Sequence, residues 1–117
     1  MVSRGTIIMS TFPNEESVAG VASKVLGRRL CACANFTKIR SIYTWRGKVQ
    51  DHHEFIALFK TTAKSAKKLK AEIARLHPYD VPEIVELKMG DVSKSYLSWL
   101  IDSTDGVAKK RYNSTKR

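Results

Sequence analysis

The chain is poor in the features by which small proteins are usually classified. It has only two cysteines, Cys31 and Cys33, one residue apart. Thiols at that spacing cannot close a useful intrachain bridge, so no disulfide scaffold is expected and a reducing compartment suits them. No apolar run approaches the ~20 residues that cross a bilayer. Near the N-terminus Arg4 is not followed by an apolar core and a small-residue cleavage site, so no signal peptide is expected and the expected compartment is the cytoplasm. There is no P-loop, dinucleotide fingerprint, nucleophile elbow or His-Glu-x-x-His. Arg46-Gly47 runs into Lys48-Val49-Gln50 rather than into the aromatic stretch of an RNA-recognition sheet. Thr11-Phe12-Pro13-Asn14 offers no anion cradle of the kind an acylphosphatase-like enzyme needs. The reading is of a protein that is not an enzyme and has no organic cofactor.

Acidic residues are scarce too. Eleven Asp and Glu stand against 21 Lys and Arg, for a net charge of +10 over 117 residues. Part of the excess is local: in residues 105–117, Lys109, Lys110, Arg111, Lys116 and Arg117 oppose Asp105 alone. That tail has few apolar residues to anchor it, so weak order is expected there, with at most non-specific contact to nucleic acid. Residues 1–104 are expected to form one domain.

What the chain has in abundance is strand. Residues 35–45 and 49–60 are rich in β-branched and aromatic side chains and flank the turn Arg46-Gly47-Lys48. Eleven residues at roughly 3.3 Å each span about 36 Å, about twice the usual strand length. A compact chain of this size has a radius of gyration near 13–14 Å, so the hairpin overreaches its own body. Its far end needs a partner surface, expected to be another copy of the chain.

The remaining segments fall into place around that hairpin. Residues 5–11 read as a short strand ending before Pro13. Asn14 caps a helix with Glu15 and Glu16 in its first turn, and Arg28 and Arg29 are expected in its last. Ala63–Leu76 repeats apolar residues at Ala66, Leu69, Ile73 and Leu76, and Pro78 stops that helix. Residues 83–89 read as a fourth strand, and Tyr96, Leu97, Leu100 and Ile101 as a short terminal helix. The order β-α-β-β-α-β plus a C-terminal helix is the α+β, ferredoxin-like pattern: an antiparallel sheet, helices on one face and a second face that needs cover.

Several blocks carry a more specific likeness. Leu30-Cys31-Ala32-Cys33-Ala34-Asn35, Ser41-Ile42-Tyr43-Thr44-Trp45-Arg46-Gly47-Lys48, Lys60-Thr61-Thr62 and Leu76-His77-Pro78-Tyr79-Asp80-Val81-Pro82 resemble the signature blocks of the CutA divalent-cation tolerance proteins. The resemblance implies a homotrimer built like the PII signalling proteins, with long hairpins wrapping neighbouring subunits. It also implies a part in tolerance of copper and other divalent metals, and hence a metal ion, copper or another, as the one expected cofactor. Tyr43, Trp45, Lys48, Glu54, Lys60, Tyr79 and Glu83 match family positions expected to gather at a ligand cleft and trimer interface. An alternative from the same likeness is a PII-like signalling trimer that binds a small anionic ligand in such clefts.

Candidate metal ligands are Cys33, His77, Cys31 and His53. Thiolates select soft ions such as Cu(I) and Zn(II), and imidazole suits copper and zinc. If residues 31–33 are extended, both sulfurs share one face; otherwise they are two small thiols packed under the first helix. His53 shares a face with Asp51. In copper-binding relatives the ligand positions match Ser10, Leu76 and His77 here, and only His77 keeps a ligating side chain. It is either the remnant of that site or a brace for the helix exit.

Overall fold

The computed structural model describes residues 5–105. The elements are β1 (Gly5–Phe12), α1 (Glu15–Gly27), β2 (Cys33–Trp45), β3 (Lys48–Thr62), α2 (Ala63–Leu76), β4 (Ile84–Lys88) and α3 (Lys94–Asp102). The four strands form one antiparallel sheet in the order β2-β3-β1-β4, the ferredoxin-like arrangement the sequence pattern predicts.

Strand alternation sorts the sheet into two faces. Ile8, Phe12, Ala57 and Phe59 point toward the helices and are fully buried. They meet Val18 and Val25 of α1 and Leu69 and Ile73 of α2, which supply the expected apolar stripes. Each such side chain contributes about 1.5–3 kcal/mol when fully buried. Thr62 ends β3 and caps α2, accepting the Ser65 N–H through its hydroxyl. Gly5 lets Met89 close over the start of β1: a Cβ there would stand 2.5 Å from Met89 Sδ.

The opposite face is bare. Register places Ile7 beside Leu87, Met9 between Leu58 and Val85, and Thr11 beside Ile56 on it. Val85 is 39% and Leu87 44% exposed.

β2 and β3 run for 13 and 15 residues, longer than the sequence boundaries by two residues at the base of each arm. They turn on two residues, not three: Trp45 pairs with Lys48, and Arg46 and Gly47 take φ of 51° and 76°. Positive φ at both central positions is the turn whose twist matches a strand pair. The chain extends 50 × 29 × 23 Å with a radius of gyration of 15.3 Å, above the ~13–14 Å of a compact chain of this length.

Two expectations about charge are corrected. α1 ends at Gly27, so Lys24, not Arg28 or Arg29, is its last-turn cation. Arg29 adopts the left-handed φ of 58° and its Nη2 donates to the Asp102 carbonyl at 2.7 Å, tying the helix exit to the end of α3. Glu72 of α2 is buried and accepts from Arg75 at 2.8 Å and from Arg28. Asp105, assigned to the tail, accepts from Thr62 at 2.6 Å and Ser65 at 2.5 Å. The expected weak order falls on residues 106–117, outside the described residues.

The Glu72 cluster gives a pH prediction. Its hydrogen bond from Arg75, aided by Arg28, holds the carboxyl down at about 2, against an ordinary 4.5. A depressed folded-state value adds stability above the ordinary value, and that stability drains away as pH falls from 4.5 toward 2. Acid titration of unfolding should show a shallower loss over that window in Glu72→Gln than in the parent.

Candidate functional site

The chain leaves α2 through His77, extended at φ −72° and ψ 137° because a proline follows. Its Nδ1 accepts the Tyr79 N–H at 3.1 Å, so Nε2 carries the ring proton and donates to Ser10 Oγ, also at 3.1 Å. The ring stacks on Phe12 with centroids 4.3 Å apart. His77 thus braces the helix exit through the Tyr79 backbone N–H. Burial pushes its pKa below the ordinary 6.5. Stability from the neutral ring is therefore complete above 6.5 and is lost as pH falls below it, a dependence that should flatten in His77→Gln when unfolding midpoints are compared across pH.

That brace aims Tyr79 across the sheet, where its hydroxyl donates to Glu54 Oε2 at 2.6 Å. Glu54 is buried on β3 with 6% exposure. Burial, and then the Glu54 carboxylate, raise the Tyr79 phenol well above its ordinary value, so it stays a donor. On β2, Ile39, Ser41, Tyr43 and Trp45 point to the same face at period two. Tyr43 is fixed by a 2.6 Å hydrogen bond to His52 Nε2, whose Nδ1–H donates to the His53 carbonyl at 3.1 Å.

Together these walls enclose a cleft of 570 Å³, within the ordinary range for small-molecule sites. Tyr43, Trp45, Glu54, Tyr79 and Glu83 line it. Lys48 and Lys60 do not: Lys48 sits at the hairpin turn, and Lys60 lies six residues from Glu54, about 20 Å along β3. Thr11, Ile56 and Val81 also line it and were not anticipated. Ile56 was legible from alternation, whereas Val81 arrives on an irregular connector that has no period to read.

The four candidate metal ligands are not brought together. Cys31 lies in the core at 1% exposure, before the strand begins, and so does not share an extended face with Cys33. Burial, then the neighbouring Cys33, push its thiol up to about 12, which keeps it protonated, whereas a metal binds the thiolate. Cys33 donates to Asn35 Oδ1 at 3.4 Å and pairs with Lys60, seven residues from His53, about 23 Å along the strand. Both nitrogens of His77 are engaged, and Ser10 offers it a hydroxyl. Among the described residues no group of three or more His, Cys, Asp or Glu could hold a metal ion. The described residues of a single chain do not fit a metal site.

Fold and site together define a ferredoxin-like α+β protein whose hairpin arm outreaches its body above an aromatic, carboxylate-bearing cleft. The family model described as CutA1 divalent ion tolerance protein matches residues 6–103, and the chain belongs to that family. It is 43% identical over 97 residues to the divalent-cation tolerance protein CutA of Thermotoga maritima, spanning 83% of this chain and 96% of that protein. The crystal structure of CutA1 from Pyrococcus horikoshii superposes with a TM-score of 0.83 at 41% identity, covering 86% of this chain and 98% of that one. The structure described as the periplasmic divalent cation tolerance protein CutA from Archaeoglobus fulgidus superposes with a TM-score of 0.84 at 27% identity, covering 86% and 99%. Among the described residues no helix is long and apolar enough to cross a membrane.

Proposed function

We propose that the chain acts in divalent-metal tolerance as a non-catalytic homotrimer, with the bare sheet face as the seat of assembly. The observation that carries this reading is an overlong arm beside a sheet face on which Val85 and Leu87 stand 39% and 44% exposed. A strand face of that composition favours cover by protein. The metal proposed is copper, from the family likeness and the more accessible thiol of Cys33. Because one chain's ligands are scattered, the ion would be held by residues of more than one copy. Cytoplasm is the compartment proposed, where free thiols persist; fractionation of cells distinguishes it from the periplasm named for the Archaeoglobus fulgidus relative.

Calorimetry with Cu(I), Cu(II) and Zn(II) tests the metal. Uptake is expected for the assembled chain, reduced in Cys33→Ala, and absent from a variant that no longer assembles. Equal uptake by dissociated chains, or none by the assembled protein, would count against it. The anionic-ligand alternative gains nothing from the cleft, whose charged lining is Glu54 and Glu83.

A further inference from the structure

The two longer helices carry their charge in opposite ways. α1 has Glu15 and Glu16 in its first turn and Lys24 in its last, the arrangement that suits a helix dipole. α2 has no acid in its first turn. It presents Lys64, Lys67 and Lys68 there and in the turn that follows, all exposed and none in an ion pair among the described residues. Cations three and four residues apart on one helix repel each other, and these stand toward the end where cations are least favourable. Helix stability does not explain the row, and solubility is met by mixing charges of both signs.

The surroundings extend the row instead of neutralising it. Ala66, Leu69 and Ile73 pack into the core, so the lysines face outward from the helix layer, away from the sheet face on which assembly is proposed. The acids bonded to this helix are already engaged. Glu72, one turn beyond Lys68, is held by Arg75 and Arg28, and Glu86 by Lys70. Arg28 arrives from the end of α1 with its side chain 61% exposed. Asp105 accepts from Thr62 and Ser65, which fixes the end of the described chain at the first turn of α2. The sequence that follows, residues 106–117, adds Lys109, Lys110, Arg111, Lys116 and Arg117 and no acid.

Such a surface matches a dense line of anionic charge. A nucleic-acid duplex carries one negative charge per about 1.7 Å of its axis, and Lys64 to Lys68 covers about 6 Å of α2. The other exposed residues of α2 are three alanines and Arg75. No aromatic stands among them to stack on an unpaired base, which favours a duplex over a single strand. A basic helix that lodges in a lipid surface turns a free apolar face into it, and the apolar face of α2 is in the core. We infer that the outer face of α2, together with the basic segment after Asp105, binds the phosphate backbone of a nucleic-acid duplex without reading its sequence. Each chain carries the whole surface, so the inference stands apart from assembly and metal uptake and can fail without them.

The test follows the fluorescence anisotropy of a labelled DNA duplex of about 20 base pairs titrated with the full-length protein, at salt from about 50 to 200 mM. Binding is expected in the micromolar range at low salt, with log K falling linearly against log salt, and alike for two duplexes of unrelated sequence. Lys64→Gln, Lys67→Gln and Lys68→Gln together should weaken binding roughly tenfold or more at low salt and flatten the salt slope by about 0.9 per lysine. Lys24→Gln, Lys38→Gln and Lys94→Gln together remove the same charge from other exposed positions and should change both quantities far less. Circular dichroism and light scattering of the two triple variants should match the parent, which separates binding from folding and assembly. Removing residues 106–117 should weaken binding further and leave the contribution of α2 measurable. The inference is overturned by absence of salt-dependent binding, by equal losses in the two triple variants, or by binding that depends on residues 106–117 alone. Tighter binding to single-stranded DNA, or to phosphatidylserine vesicles, than to the duplex would overturn it as well.

Discussion

Leu87→Asp is expected to break the proposed trimer into single chains that remain folded. Leu87 lies on the edge strand β4, beside Ile7 on the face away from the helices, and is 44% exposed in the isolated chain. If that face met only water, the substitution would change stability by no more than about 0.5 kcal/mol. Between copies the same carboxylate would be buried without a partner, a cost of several kcal/mol borne by every interface. The two cases differ by orders of magnitude in association constant. Light scattering should show the mass falling to that of one chain, while far-ultraviolet circular dichroism stays close to the parent. An unchanged mass would mean that this face is not the seat of assembly.

Phe12→Ala should be the most destabilising of the single-chain variants, by about 3–5 kcal/mol. Phe12 is fully buried, meets Phe59 edge-on at 6.4 Å between centroids and stacks on His77 at 4.3 Å. Its removal leaves a cavity under the helices and also frees the ring that aims Tyr79 at Glu54. The urea midpoint should fall accordingly, and the His77–Tyr79 brace should loosen with it. Phe36→Ala is the control. Phe36 lies on the helix-side face of β2 but is 37% exposed, so its loss should cost far less.

Much of this architecture was legible because it rests on short-range rules. Alternation separated Tyr43 and Trp45 from Phe36, Arg40 and Ile42, and the sheet keeps that division. Helical spacing gave Ala66, Leu69, Ile73 and Leu76 as the apolar stripe of α2, of which the first three are buried and Leu76 is partly so. The misses have a common physical form. Period two tells which face a residue occupies but not how far along the strand it sits, so Lys60 shares a face with Glu54 yet stands well outside the cleft. Cys31 and Cys33 are neighbours in sequence, but the strand starts only at the second, leaving the first in the core. Arg29 takes a left-handed conformation usual for glycine, held by a contact with α3 that lies 73 residues away. The burial of Glu72 depends on Arg28 arriving from the end of α1, a contact no local pattern announces. Face and period are local, whereas register, desolvation and ion pairing belong to the assembled fold.

The central claim is that the bare sheet face and the overlong arm exist for three copies to close around. Light scattering on the unmodified chain in dilute solution tests it most directly. The expected mass is three times the 13.2 kDa of the chain, holding steady on dilution. A mass of one chain, with the arm and Leu87 left in water, would contradict it.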